Sequence, residues 1–212
     1  EETEKFNIEK INIYGNYITN ENVIRNALIV DEGDAFNKIL VNKSINNLKA
    51  KRIFGNVNYK LKDGSKNDFK EIEINVDEKP TGEIFAGAGT GTSGSTLSIG
   101  IKENNYLGSG IKLDTNVSIS DNALLGKFSI NNPNFNNSDK SLITTLEASQ
   151  VDRMSKFGYK TDKTGFDIGT SFEQYDDIYF SPSIESYLET VKISSSASES
   201  MKKQKGDYFD TS

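Results

Sequence analysis

The pattern of apolar and polar positions changes character near residue 81. Upstream, two spacings alternate. Phe6, Ile8, Ile11 and Ile13 stand among polar neighbours as a strand with an irregularity at Glu9 and Lys10, ended by Gly15 and Asn16. Asn20 is placed to cap a short helix in which Val23, Ile24, Ala27 and Leu28 share one face, and Glu21 complements its N-terminus. After a turn at Asp31, Gly33 and Asp34, Val41, Ile45 and Leu48 recur at helical spacing up to Arg52. Two alternating strands follow. Val57, Tyr59 and Leu61 oppose Asn58, Lys60 and Lys62; beyond a turn at Asp63–Asn67, Ile72, Ile74 and Val76 oppose Glu71, Glu73 and Asn75. The order βααββ predicts a compact α+β domain over residues 1–80, with both helices on one face of a small sheet.

From Thr81 onward the helical period is gone. The stretch TGEIFAGAGTGTSGSTLSIGIKENNYLGSG, Thr81–Gly110, reads as a glycine-rich strand, a tight turn at Thr92–Gly94, a cleanly alternating strand and a second glycine turn. Leu97, Ile99 and Ile101 oppose Thr96, Ser98, Gly100 and Lys102. Ile111, Leu113, Val117 and Ile119 oppose Lys112, Asp114, Asn116, Ser118 and Ser120. Further one-sided strands carry Leu124, Phe128 and Ile130; Leu142, Leu146 and Ala148; Phe166, Ile168 and Phe172; and Ile184 with Leu188. This makes seven strands of roughly 8 to 12 residues over residues 81–212, a length suited to tilted membrane-crossing strands. An eighth begins at Tyr208. Asp121–Asn122 is a short turn, Asn131–Ser138 a longer one, and Asp152–Asp162 and Ile193–Asp207 read as charged or Ser-rich loops that fall on the rim away from the first domain. Alternation alone fits both a transmembrane barrel and a soluble sandwich.

Composition narrows the chemistry. An apolar content of 34 % and a mean hydropathy of -0.57 exclude a helical membrane span but leave a barrel open, since its strands bury only alternate residues in lipid. A net charge of -6 argues against nucleic acid as a partner. The chain has neither His nor Cys, which removes imidazole and thiolate metal sites, nucleophile pairs and the usual general base. The remaining carboxylate pairs, Asp176 with Asp177 and Glu71 with Glu73, are explained by a turn and by a solvated strand. Gly87, Gly89 and Gly91 are followed by a strand and not by the helix a nucleotide loop needs. No enzyme activity, metal or cofactor is expected. The chain begins at Glu1 rather than Met, and is expected to be a piece of a longer protein.

The βααββ order, with D-E-G-D-A-F at Asp31–Phe36, L-K-A-K-R-I-F at Leu48–Phe54 and V-D-E-K-P at Val76–Pro80, resembles a POTRA domain, the periplasmic module of outer-membrane assembly and secretion proteins. Downstream, NNYLGSG at Asn104–Gly110 is similar to the aromatic-leucine-glycine turn of BamA-type barrels. NPNF at Asn132–Phe135 is similar to their Asn-Pro-aromatic turn, with Asn134 where the family often has an aromatic. GFDIGTSFEQYDDIYFSP at Gly165–Pro182 resembles their sixth strand and the approach to the seventh. The likeness runs from about Phe6 to Ser212. It implies the last POTRA domain joined to the front half of a barrel of about sixteen strands. The location implied is the bacterial outer membrane, with the POTRA domain in the periplasm.

The implied function is non-enzymatic. BamA-type proteins fold and insert other barrel proteins, and the resemblance assigns Ile84, Phe85, Ala86, Gly87, Ala88, Gly89 and Thr90 to a lateral gate whose backbone edge templates a client strand. Its partners would be nascent outer-membrane β-barrel proteins, periplasmic assembly lipoproteins and outer-membrane lipid. A second edge, Val57, Asn58, Tyr59, Lys60 and Leu61, offers β-augmentation in the POTRA domain. Two alternatives are a two-partner secretion transporter on the same architecture and a soluble β-rich binding protein.

Overall fold

The computed structural model describes residues 6–91, 94–175 and 178–212. The turn expected at Thr92–Gly94 lies outside the described residues except for Gly94, and the Asp176–Asp177 pair lies outside them entirely.

Upstream of residue 81 the chain forms strand β1 (Asn7–Tyr14), helices α1 (Glu21–Arg25) and α2 (Lys38–Ala50), and strands β2 (Phe54–Asp63) and β3 (Phe69–Glu78). The sheet order is β1-β3-β2, with β1 parallel to β3 and β2 antiparallel to it. The irregularity read at Glu9 is a shift of register between Ile8 and Lys10. Alternation puts Ile72, Ile74 and Val76 of β3 on one face, where they close a core with Ile8 and Ile11 of β1, Val23 and Ile24 of α1, and Val41, Ile45 and Leu48 of α2. The cap of α2 is Asn37, whose Oδ1 accepts from the Ile39 and Leu40 amides at 2.9 and 3.3 Å. Asn20 does occupy the position before α1, but its side chain makes no capping bond; its backbone is held by donation from its amide to the Gly108 carbonyl at 2.8 Å. Contacts gather these elements into one unit, Glu1–Thr81, that also takes in Asn104–Ile111 and Asn136–Ser138.

The second unit comprises Gly82–Glu103, Lys112–Phe135 and Asp139–Ser212. Its strands are β4 (Gly82–Gly91), β5 (Gly94–Tyr106), β6 (Ile111–Ser120), β7 (Ala123–Asn132), β8 (Ser141–Arg153), β9 (Tyr159–Tyr175), β10 (Ile178–Phe180), β11 (Ser183–Ile193) and β12 (Gly206–Thr211). They form one nine-stranded sheet in the order β12-β11-β9-β8-β7-β6-β5-β4, with β10 folded back on the end of β9. Each strand thus lies beside its neighbour in sequence, the up-and-down meander of a barrel wall.

Three strands exceed the expected 8 to 12 residues: β5 and β8 have 13 and β9 has 17. The expected loop Asp152–Asp162 is mostly strand. Pairing continues from Gln150 opposite Asp162 to Arg153 opposite Tyr159, leaving only the helical turn α3 (Met154–Phe157) and Gly158 at the tip. The charged residues there belong to paired strands: Gln150 donates to Asp162 at 2.6 Å, and Lys160 lies 3.7 Å from Asp152. The Ile193–Asp207 segment carries a second short helix, α4 (Glu199–Lys202), capped by Ser198.

Register places the apolar residues of successive strands side by side. Ile84 opposes Ile101 and Ala88 opposes Leu97; Ile119 opposes Leu124; Phe128 opposes Leu146; Leu146 opposes Phe166; Ile168 opposes Ile184; Leu188 opposes Phe209. The other face is polar. Lys102 lies 3.5 Å from Asp114 and Lys163 lies 3.6 Å from Glu185, while the Tyr187 hydroxyl donates to Asp210 at 3.0 Å.

Candidate functional site

Two sheet edges carry the residues singled out from the sequence, and they belong to different units. Among the described residues β4 pairs with β5 alone, so the backbone groups of alternate residues on its far side have no strand partner among them. Ile84, Phe85, Ala86, Gly87, Ala88, Gly89 and Thr90 all lie in this strand, in continuous register with Ile101 through Ser95. Ile84, Ala86 and Ala88 point to the apolar face. Phe85, Gly87 and Gly89 point to the polar one, where the Phe85 ring covers Gly100 and receives Lys102 at 5.5 Å from its centroid.

Among the described residues, little packs against Gly87, Gly89 and Gly91 of this strand. A Cβ on Gly89 or Gly91 would meet no described atom within 4 Å, and one on Gly87 would meet only the Ser98 hydroxyl, at 3.3 Å. By contrast, a Cβ on Gly100 in β5 would run into the Phe85 ring and the Thr115 carbonyl. Gly100 is required by packing. The β4 glycines instead remove the cross-strand side-chain pairs that stabilise an antiparallel ladder and leave the backbone more conformational freedom.

In the first unit β2 is likewise an edge, paired among the described residues with β3 alone. Val57 is buried in the core, Tyr59 packs against it and Leu61 is exposed. Asn58 and Lys60 alternate with them, and the nearby Lys62 is paired with Glu73 at 2.6 Å. Glu71 accepts from the Asn12 amide at 3.0 Å, so both acidic residues of β3 that form a pair in the sequence are engaged in the sheet.

A third feature, not singled out from the sequence as a site, joins the 15–20 loop to the segments around it inside the first unit. The Glu78 carboxylate accepts from three successive amides, Tyr17 at 3.0 Å, Ile18 at 2.9 Å and Thr19 at 2.6 Å. Partial burial works against its ionisation, but these bonds outweigh that and hold the Glu78 carboxyl below the ordinary range. Thr19, 2 % exposed, takes a hydrogen bond at 2.8 Å from the side-chain amide of Asn105, itself 7 % exposed. The Asn105 oxygen accepts from the Gly110 amide at 2.8 Å. Gly108 and Gly110 have positive φ, and Cβ atoms there would strike the Ile18 carbonyl and the Val23 side chain. The V-D-E-K-P and N-N-Y-L-G-S-G patterns thus acquire physical roles: an acidic clamp, and a buried amide followed by two glycines that must be glycine.

Comparison with known proteins agrees with this geometry. The POTRA family, described as a surface antigen variable number repeat, matches residues 6–79. A candidate outer membrane protein assembly factor of Treponema pallidum is 30 % identical over 128 residues, 58 % of this chain and 15 % of its own length. The outer membrane protein assembly factor BamA of Nitratidesulfovibrio vulgaris is 28 % identical over 146 residues, 65 % of this chain and 18 % of its own. The chain therefore spans less than a fifth of the length of these curated relatives. Among solved structures, BamA from Haemophilus ducreyi lacking POTRA domains 1–3 superposes with a TM-score of 0.77 at 22 % identity, covering 88 % of this chain and 36 % of that one. CdiB from Escherichia coli superposes at 0.59 and 13 % identity, covering 97 % and 38 %; these two likenesses concern the fold. The POTRA family model thus accounts for residues 6–79, and the sheet that follows them is similar in fold to the barrel of BamA from Haemophilus ducreyi.

Proposed function

We propose that the protein is an outer-membrane assembly factor that folds and inserts β-barrel proteins by offering the β4 edge to incoming strands. The observation that carries this reading is the glycine pattern of β4. No described atom lies within 4 Å of a Cβ on Gly89 or Gly91, and only the Ser98 hydroxyl lies near one on Gly87; glycines at these positions give a ladder that cross-strand side-chain pairs stabilise little. Such an edge can part from a neighbour and accept a client strand through main-chain hydrogen bonds, which matter most where lipid offers the backbone no partner. The barrel strands would cross the outer membrane, with the POTRA domain in the periplasm receiving clients and assembly lipoproteins. The relatives named as assembly factors support the same reading.

A secretion transporter on the same architecture is the second reading, favoured by the likeness in fold to CdiB. A soluble sandwich is disfavoured because the apolar residues of the barrel sheet stand exposed, with no second sheet over them among the described residues.

Photocrosslinkers placed at Phe85 and Ala88 of the protein in its native membrane separate the first two. Capture of nascent barrel strands is the expected result, weakened when Gly87 and Gly89 are replaced by Val to strengthen the ladder. Capture of only a long secreted partner would overturn the insertase reading.

A further inference from the structure

Strand β4 is built in two halves. Glu83, Ile84 and Phe85 are large, whereas residues 86–91 alternate Ala or Thr with Gly. Of the ten residues in the strand, Phe85 alone is not exposed. It stands directly opposite Gly100, which is buried. The tip of the Phe85 ring fills the space that a Cβ on Gly100 would take, so the ring leans over β5 and away from the open edge. Lys102 lies 5.5 Å from the ring centroid and 3.5 Å from Asp114, which carries the contact on to β6.

The other half of the strand is held differently. On the face that carries Phe85, the pairs Gly87 with Ser98 and Gly89 with Thr96 each contain a glycine; on the apolar face, Ala86 and Ala88 bring a single methyl each to Ile99 and Leu97. The Ser98 hydroxyl reaches the Gly87 carbonyl only at 3.5 Å. Cross-strand side-chain pairs stabilise a ladder and fix its register, and glycine leaves the backbone free to change its twist.

We propose that Phe85 is a positioning residue for the client edge: seated on Gly100, it pins residues 82–85 to β5 in one register, and residues 86–91 form a pliant length whose twist adapts to the incoming strand. This rests on the strand-templating reading above and adds to it the point that sets the alignment of the client. The ring does not stand in the way of that strand, because it leans toward β5. Successive residues of a strand face opposite ways, so an unpinned edge slips by an even number of residues, keeping its faces and losing its alignment.

Two measurements on the full-length protein in vesicles test this. The first is amide exchange without client. The amides of residues 82–85 that bond to β5 should exchange about tenfold more slowly than those of residues 86–91. Phe85→Ala should remove the difference, and Phe85→Leu, which still covers Gly100, should keep part of it. A difference that survives Phe85→Ala overturns the pin. The second places a photocrosslinker at Ala88, offers a newly synthesised, isotope-labelled copy of the same protein as client, and maps the adducts by mass spectrometry. In the parent the adducts should fall on one client residue. In Phe85→Ala they should scatter over residues an even number of positions away, and Phe85→Leu should narrow the scatter. Weaker capture at an unchanged client residue would make Phe85 merely structural and overturn its positioning role. Capture in no background would remove the templating reading and the role of Phe85 with it, while slow exchange at residues 82–85 would then describe the ladder alone.

Discussion

In β3 of the POTRA unit Ile72, Ile74 and Val76 are buried beneath the helices, whereas in β5 of the barrel unit Leu97, Ile99 and Ile101, spaced in the same alternation, are each more than half exposed. The contrast extends to both units. Among the described residues, every buried apolar side chain lies at or before Val76. The POTRA sheet carries its own covering layer, α1 and α2, within eighty residues of chain. Among the described residues the barrel sheet carries none, and its apolar belt stands exposed, as a belt that meets lipid would. Alternation therefore specifies which residues share a face, and the neighbouring elements decide what that face meets.

The comparison breaks most sharply under a matched insertion of charge. Ile72→Asp puts an unpaired carboxylate in the POTRA core and should cost about 4 kcal/mol or more, enough to unfold that unit. Limited proteolysis of the protein in detergent micelles should show the POTRA unit degraded while the barrel sheet persists. Ile99→Arg, in the middle of the belt, should leave the POTRA unit intact and cost about 2 to 4 kcal/mol of barrel stability in a bilayer. Urea titration in vesicles measures this. A similar loss of POTRA stability in both variants would mean that the two faces meet the same environment.

A smaller effect tests whether the turn at 104–110 belongs energetically to the POTRA unit. Asn105→Ala leaves the Thr19 hydroxyl and the Gly110 amide without their buried partner and should cost about 1 to 3 kcal/mol. The loss should appear as faster hydrogen exchange in the 15–20 loop and β3. Exchange rising only in β5 and β6 would assign the turn to the barrel instead.

Much of this organisation is legible from period and sign alone. The strand faces from Ile84 to Leu188 follow from the period of two, and the bulge at Glu9 announced itself as an extra polar residue between Ile8 and Ile11. Charge misled at Asp152–Asp162: the strands run on in pairing beyond the apolar belt but carry charged residues there, and so look like loops. Asn20 stands before α1 without a side-chain capping bond, and the bond that holds it runs from its backbone amide to the Gly108 carbonyl, 88 residues away and beyond any local pattern. The bond between Thr19 and Asn105 spans 86 residues, and its signal was indirect, an Asn held between an Asn and a glycine-rich turn. The open space around Gly89 has no sequence signature at all, since a glycine required by packing and one that is not are the same letter.

The smallest expected effect concerns acid, and it falls on the POTRA unit alone. The Glu78 carboxyl is held below its ordinary value near 4.5 by the amides of the 17–19 segment, against the opposing influence of burial. A carboxylate whose folded pKa is depressed stabilises the fold fully above its unfolded pKa, and that contribution disappears as pH falls through the folded value. POTRA stability should thus decline from about pH 4.5 downward. Glu78→Gln should lower the urea midpoint at neutral pH and converge on the wild-type curve in acid. A residual slope will remain, because Glu9, bonded by Ser65, and Asp63, bonded by Lys70, are also held below their ordinary values. Curves that stay parallel across this range would show that the clamp acts through its geometry and not through its charge.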